Sequence, residues 1–173
     1  EDLRRMLMAL AALADKLTVG WTPPSDGPGR PCVPVLRADG TDTGIAFHGV
    51  PGGHEFNSFV VGLYNAAGPG QSIDPALAEA IAAIDRPLDL QIVVALSCTM
   101  CPELVIAAQK IAASNPLVTA KVYDVNHFPE LRERYKIMSV PCLIINKAKV
   151  AFGKKTLGQL LELLAEPEDG QTG

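Results

Sequence analysis

Residues 90–114, LQIVVALSCTMCPELVIAAQKIAAS, run an apolar, β-prone stretch into a C-x-x-C and then into an amphipathic repeat with Pro102 near its start. A buried strand that ends in C-x-x-C and turns into a helix puts the first thiol at the helix N-terminus. There, unpaired N–H groups and the helix dipole favour a thiolate. Cys98 is that thiol, and a depressed pKa is expected for it. Cys101 is expected one turn into the helix, placed to attack a mixed disulfide at Cys98 and release a reduced partner. Pro102 suits a first helical turn, where a missing N–H costs little. The other use of such a pair is zinc, which would need further ligands at ~2.0–2.3 Å. The chain has no second C-x-x-C, and His48, His54 and His127 stand apart in sequence. The strand-to-helix context therefore favours a redox pair over a metal-binding module.

The elements around the pair alternate. LDLQIVVALS reads as a strand, PELVIAAQKIAAS as a helix, VTAKVYDV as a strand and FPELRERYK as a short helix. CLIIN and VAFG read as a hairpin, and TLGQLLELLAE as a closing helix. Upstream, Glu1–Lys16 carries Leu3, Met6, Leu7, Leu10 and Leu13 at helical spacing; LTVGW reads as a short strand and TPPSDGPGRP as a loop. CVPVLR and TGIAFHG flank an Asp39-Gly40 turn, a second hairpin, and VPGGHEFNSFVVGLYNAAGPG contains a helix ended by its glycines. SIDPALAEAIAAID is an Asp- and Pro-initiated helix leading into the second series. Strands alternating with helices and closed by a hairpin predict an α/β fold with a mixed sheet flanked by helices.

Composition excludes several functions. With 48% apolar and 20% charged residues over 173 positions, the chain has the make-up of a core-forming globular protein. A net charge of −4 with interspersed signs, five Phe, three Tyr and one Trp leave no basic, aromatic surface for nucleic acid. The longest apolar windows fall well short of the ~20 residues that cross a bilayer, so no membrane association is expected. The N-terminus lacks a signal-peptide pattern. Four cysteines, only two of them close in sequence, suit a reducing compartment, and a cytoplasmic location is expected.

The chain also repeats itself. RPCVPVLR, GIAFHG and HEFNSFVVGLY match VPCLIIN, VAFG and TLGQLLELL as Pro-Cys, strand, strand, helix, so that Pro31-Cys32 answers Pro141-Cys142. Two similar halves follow: residues 1–70 without a C-x-x-C, residues 71–166 with it, and 167–173 as a polar tail or linker. The strand that should precede the opening helix is missing, which suggests a first half truncated at its N-terminus. In SVPC, Pro141 is expected to be cis and to turn the preceding backbone towards a partner chain at the dithiol, while holding metals off it. An edge-strand starter is the other reading of that proline.

Fold order, SCTMCP and SVPC resemble the thioredoxin superfamily. GHEFNSFVVGLY, SCTMCP and VPCLIIN together resemble the tandem-thioredoxin N-terminal domains of alkyl hydroperoxide reductase flavoproteins. That resemblance implies two fused thioredoxin-like folds and a thiol-disulfide oxidoreductase that relays electrons from a thioredoxin-reductase-like flavoprotein, separate or fused downstream, to a peroxiredoxin. FAD and NAD(P)H belong to that donor, and no cofactor or metal is expected on this chain. Thioredoxins carry a buried carboxylate six residues before the nucleophile, where this chain has Ile92. The resemblance assigns the proton step instead to Glu55, in the GHEF segment; read without it, Glu55 is an exposed acid in a first helical turn. A free-standing glutaredoxin-like protein disulfide oxidoreductase is the alternative function. Cys32 and Cys142 are expected to be buried and inert. Thr99 and Met100 are expected to tune the dithiol and its contacts, and His54 and His127 to sit at the surface or at helix caps.

Overall fold

The computed structural model describes residues 1–23 and 27–167. It opens with α1 (Asp2–Leu13), which buries Leu7 and lays Leu3, Met6 and Leu10 against the main core. The helix stops before the expected Lys16. Leu13 is already 87% exposed, and Ala14 is extended. LTVGW alternates partly buried with exposed residues as a strand would, yet it forms no ladder among the described residues, and an alternating pattern without a hydrogen-bonding neighbour is not a strand. Val19 from this segment packs on the core as part of an irregular connection.

Two hairpins and a βαβ unit then build one sheet. β1 (Cys32–Leu36) and β2 (Asp42–His48) are antiparallel, β3 (Leu88–Val94) and β4 (Val118–Asp124) are parallel, and β5 (Cys142–Ile145) and β6 (Lys149–Phe152) are antiparallel. The strand order is β1-β2-β4-β3-β5-β6, with β2 parallel to β4 and β5 antiparallel to β3, so the mixed sheet is continuous across both halves. α2 (Glu55–Ala67), α3 (Pro75–Ala82), α4 (Cys101–Ser114), α5 (Pro129–Arg134) and α6 (Leu157–Ala165) complete the expected order. Local chemistry fixes several helix starts. Asp74 accepts from the Ala76 N–H ahead of Pro75, and Thr156 and Gln159 form a capping box on α6.

The two faces of the sheet differ. Leu90, Ile92, Val94, Val122, Leu143 and their neighbours face the larger core, roofed by α2, α4 and α6. The alternate residues Val93, Cys142 and Ile144 face a smaller cluster closed by Val125, Phe128, Leu131 and Ile137. That lid covers only the second half. The polar tail expected over 167–173 lies outside the described residues beyond Pro167.

Candidate functional site

β3 ends at Val94, the chain turns through Ala95–Met100, and α4 begins at Cys101. Cys101 is thus the first residue of the helix rather than one turn inside it, with Pro102 next in line and Cys98 in the turn before the Met100 N-cap. The two sulfurs are joined in a disulfide, with the Cα atoms 5.6 Å apart. Burial separates the two: Cys101 is fully sealed within the main core, whereas Cys98 is partly exposed. The Cys98 N–H donates to the Ala95 carbonyl at 2.9 Å, which fixes the turn.

The Val140-Pro141 peptide is cis, and the Val140 carbonyl oxygen stands 3.9 Å from Cys98 Sγ. Two apolar side chains lie open on the same loops: Met100 is 56% and Met138 90% exposed. The sequence pattern gives Met100 a role in partner contact but misses Met138, which reads as an ordinary loop residue after a short helix.

Glu55 is not the exposed acid that its place in a first helical turn suggests. It is 0% exposed. One carboxylate oxygen accepts the Ser58 hydroxyl, and the other has no hydrogen-bond partner among the described residues. Burial pushes its pKa up to about 7, against a smaller lowering by Ser58. The local backbone explains how it gets inside. The His54 N–H donates to the Leu96 carbonyl at 2.9 Å, and a Cβ at Gly53, whose φ is +55°, would lie 2.5 Å from that same oxygen. Only glycine lets the start of α2 come so close to the dithiol turn. Further along, Gly62 leaves room for the Gln109 amide, whose oxygen would be 2.6 Å from a Cβ there. Since 53 meets 96 and 62 meets 109, α2 and α4 run side by side in the same direction. Their first residues, Glu55 and Cys101, stand at the same end. Sequence reasoning misses Ser58; its spacing of three from Glu55, on the buried stripe with Phe59 and Gly62, is the available signal.

Cys142 is fully buried, as expected, and desolvation raises its thiol to about 11. Cys32 differs. It is partly exposed, and its Sγ lies 3.7 Å from His48 Nε2. His54 and His127 are exposed; His54 occupies the N-cap position of α2 without a side-chain capping bond. Among the described residues no group of three His, Cys, Asp or Glu side chains could hold a metal ion, and no helix is long and apolar enough to cross a membrane.

Residues 88–165 match the family model described as thioredoxin domain. The chain is 32% identical over 169 residues to an alkyl hydroperoxide reductase component of Pseudomonas aeruginosa, covering 98% of this chain and 31% of that protein. The crystal structure of the NTD_N/C domain of the alkyl hydroperoxide reductase AhpF from Enterococcus faecalis superposes with a TM-score of 0.89 at 38% identity, covering 95% of this chain and 83% of that one. A protein disulfide oxidoreductase of Aeropyrum pernix shares the fold, with a TM-score of 0.64 at 22% identity over 70% of this chain and 54% of that one. The chain spans about a third of the length of the curated relatives it matches. Strand, C-x-x-C, helix, cis-proline and the doubled hairpin-helix unit therefore meet in one conclusion: the chain belongs to the thioredoxin superfamily, with the N-terminal domains of AhpF-type alkyl hydroperoxide reductases.

Proposed function

We propose that this chain is a dithiol relay that takes electrons from a thioredoxin-reductase-like flavoprotein carrying FAD and NAD(P)H, and passes them to the disulfide of a peroxiredoxin in the cytoplasm. The observation that carries this reading is the asymmetry of the pair: one sulfur reachable at the surface, the other sealed behind it at the start of α4. In the reduced protein Cys98, as thiolate, attacks a sulfur of the partner disulfide, and the partner's second sulfur leaves as a thiolate that takes up a proton. Cys101 then gives its proton to Glu55 and attacks Cys98. That step closes the disulfide and releases the partner's first sulfur, which completes the transfer of two electrons. A carboxyl with a pKa of about 7 can accept and return a proton near neutrality, and Ile92 cannot. Val140 and Pro141 form the shelf on which the partner chain rests, the Val140 carbonyl lying beside the attacking sulfur. Met100 and Met138 supply adaptable apolar contact around it.

In this reading residues 71–166 perform the exchange and residues 1–70 supply Glu55. The test is a Cys101→Ser variant mixed with an oxidised peroxiredoxin. It is expected to stall as a mixed disulfide through Cys98, identified by peptide mass. An adduct through Cys142 or Cys32, or none, overturns the role assignment.

A further inference from the structure

The cross-strand register sets Cys32, His48, Tyr123, Val93 and Cys142 in one row across the sheet. Residues in such a row share a face. At the Cys142 end the row lies under Phe128, Leu131 and Ile137. At the Cys32 end it floors an open groove of about 300 Å³ whose lining includes Pro34, Gly44, His48, Lys121 and Tyr123.

The imidazole in that groove is held in one orientation. His48 Nδ1 lies 2.6 Å from the Gly29 carbonyl oxygen, and a carbonyl only accepts, so Nδ1 carries the hydrogen. Burial, with Lys121 and Arg30 nearby, lowers the His48 pKa, so the ring is neutral and its Nε2 lone pair faces the Cys32 thiol at 3.7 Å. The ring stacks on Tyr123 with centroids 4.2 Å apart and planes at 5°, and Tyr123 is itself braced edge-on by Phe128. A Cβ at Gly29, where φ is +84°, would stand 3.2 Å from Nδ1. The result is a thiol, a base within reach of it and a third group that orients the base, the arrangement that activates a nucleophile. Desolvation raises the resting thiol while Arg30 and Lys121 oppose that rise, so the thiol rests protonated and is activated by transfer to His48 during reaction.

We propose that Cys32 and His48 form a second thiol-disulfide exchange site that accepts a small, carboxylate-bearing thiol as a mixed disulfide. The groove is at the small end of ligand pockets, which commonly run ~300–1,000 Å³, a size that suits a small disulfide. Arg30 and Lys121 set positive charge beside it; Lys121 Nζ also lies 4.0 Å from Asp89 Oδ1, and the Asp42 carboxylate in the lining is engaged by the Gly44 N–H at 2.8 Å. In the exchange His48 Nε2 takes the Cys32 proton and the sulfur attacks one sulfur of the small disulfide. The S–S bond breaks, and the departing thiolate recovers the proton from His48. Cys32 gains an S–S bond as the small disulfide loses one, so no other oxidant or reductant is needed.

The test uses the oxidised chain, in which Cys98 and Cys101 are closed on each other and Cys32 and Cys142 are the free thiols. Incubation with glutathione disulfide is expected to add one glutathionyl group, mapped to Cys32 by peptide mass, with Cys142 unmodified. His48→Gln, with an unchanged far-ultraviolet spectrum, is expected to slow the addition at least ~100-fold, the lower range of general-base catalysis. The neutral bis(2-hydroxyethyl) disulfide is expected to react more slowly than glutathione disulfide, and Lys121→Gln to narrow that difference. No adduct on Cys32, or equal rates with and without His48, overturns the site. Equal rates for the two disulfides overturn its preference for acidic thiols. Should His48→Gln not fold, the wild-type comparison of Cys32 with Cys142 decides, because equal modification of the two thiols overturns the site by itself.

Discussion

Cys32 and Cys142 occupy matching places in the repeat. Each follows a cis-proline, and each opens the first strand of a hairpin that leads to a helix. Their surroundings then diverge. Between β4 and β5 the chain carries α5, which with Phe128 and Ile137 seals Cys142 beneath apolar side chains. The chain ahead of β1 has no helix in the corresponding place among the described residues; the Gly29-Arg30 turn approaches instead and brings a carbonyl to His48. The residue paired with the cysteine across the hairpin also changes, from Phe152 to His48. One backbone plan thus yields a buried thiol under a lid and an open thiol beside a base. What decides between them is the connection covering the sheet, not the strand itself.

The largest test of this comparison is to remove one sulfur from each half. Cys98→Ser is expected to abolish transfer of electrons to a disulfide partner, whereas Cys32→Ser leaves that transfer at the wild-type rate. Steady-state peroxide reduction with donor and peroxiredoxin present reads both. Loss of transfer in Cys32→Ser would make the first half part of the relay chemistry.

Next in size is Glu55, the residue that the first half lends to the second in the proposed relay. Its folded pKa of about 7 lies above the ordinary 4.5, so the folded state holds a proton that the unfolded state releases, and stability falls as pH rises through that window. Glu55→Gln has no such dependence. The variant is expected to gain on the wild type by up to about 3 kcal/mol between pH 4.5 and pH 8, at 1.36 kcal/mol per pKa unit, in urea unfolding across pH. The same variant is expected to slow disulfide transfer and to flatten its pH profile near neutrality. A stability difference constant with pH would mean that the carboxyl is ionised normally, and Glu55 would be withdrawn as the proton acceptor.

The smallest effects separate the two lone cysteines by stability alone. Cys142→Ser puts a hydroxyl into a fully buried apolar site and is expected to cost ~1–3 kcal/mol. Cys32→Ser, at an open groove with His48 to bond, is expected to stay within ~0.5 kcal/mol. Thermal unfolding of the two variants side by side reads the difference, and equal costs would place both thiols in equivalent environments.

The strand-to-helix setting of Cys98, the two hairpins and the helix order are all legible in the sequence because they rest on local periodicity and on turn residues. The limits are non-local. LTVGW has strand propensity, but a strand is defined by a partner that lies elsewhere. The extra turn of helix expected ahead of Cys101 is absent because the chain spends those residues crossing from β3, a length that periodicity does not count. The burial of Glu55 depends on Gly53 meeting Leu96, a contact between segments far apart in sequence. The pairing of Cys32 with His48 is hidden by an irregularity. Continuing the Leu36-Asp42 register evenly would place Ala46 opposite Cys32, and the shift between Pro34 and Leu36 advances the partner to His48.

The parallel pairing of β2 with β4, from Ile45 with Ala120 to His48 with Tyr123, has a kinetic consequence. A hinge between the halves would have to break that ladder and separate α2 from α4, exposing the Glu55 carboxyl and the core around Cys101. Such an opening approaches unfolding in cost, so it cannot be part of every turnover. In the proposed relay, a carrier built this way would travel between donor and acceptor as a rigid shuttle. Under that proposal, Cys98 would reach each partner by diffusion or tethering of the whole unit, and the rate would respond to solvent viscosity rather than to substitutions inside the sheet.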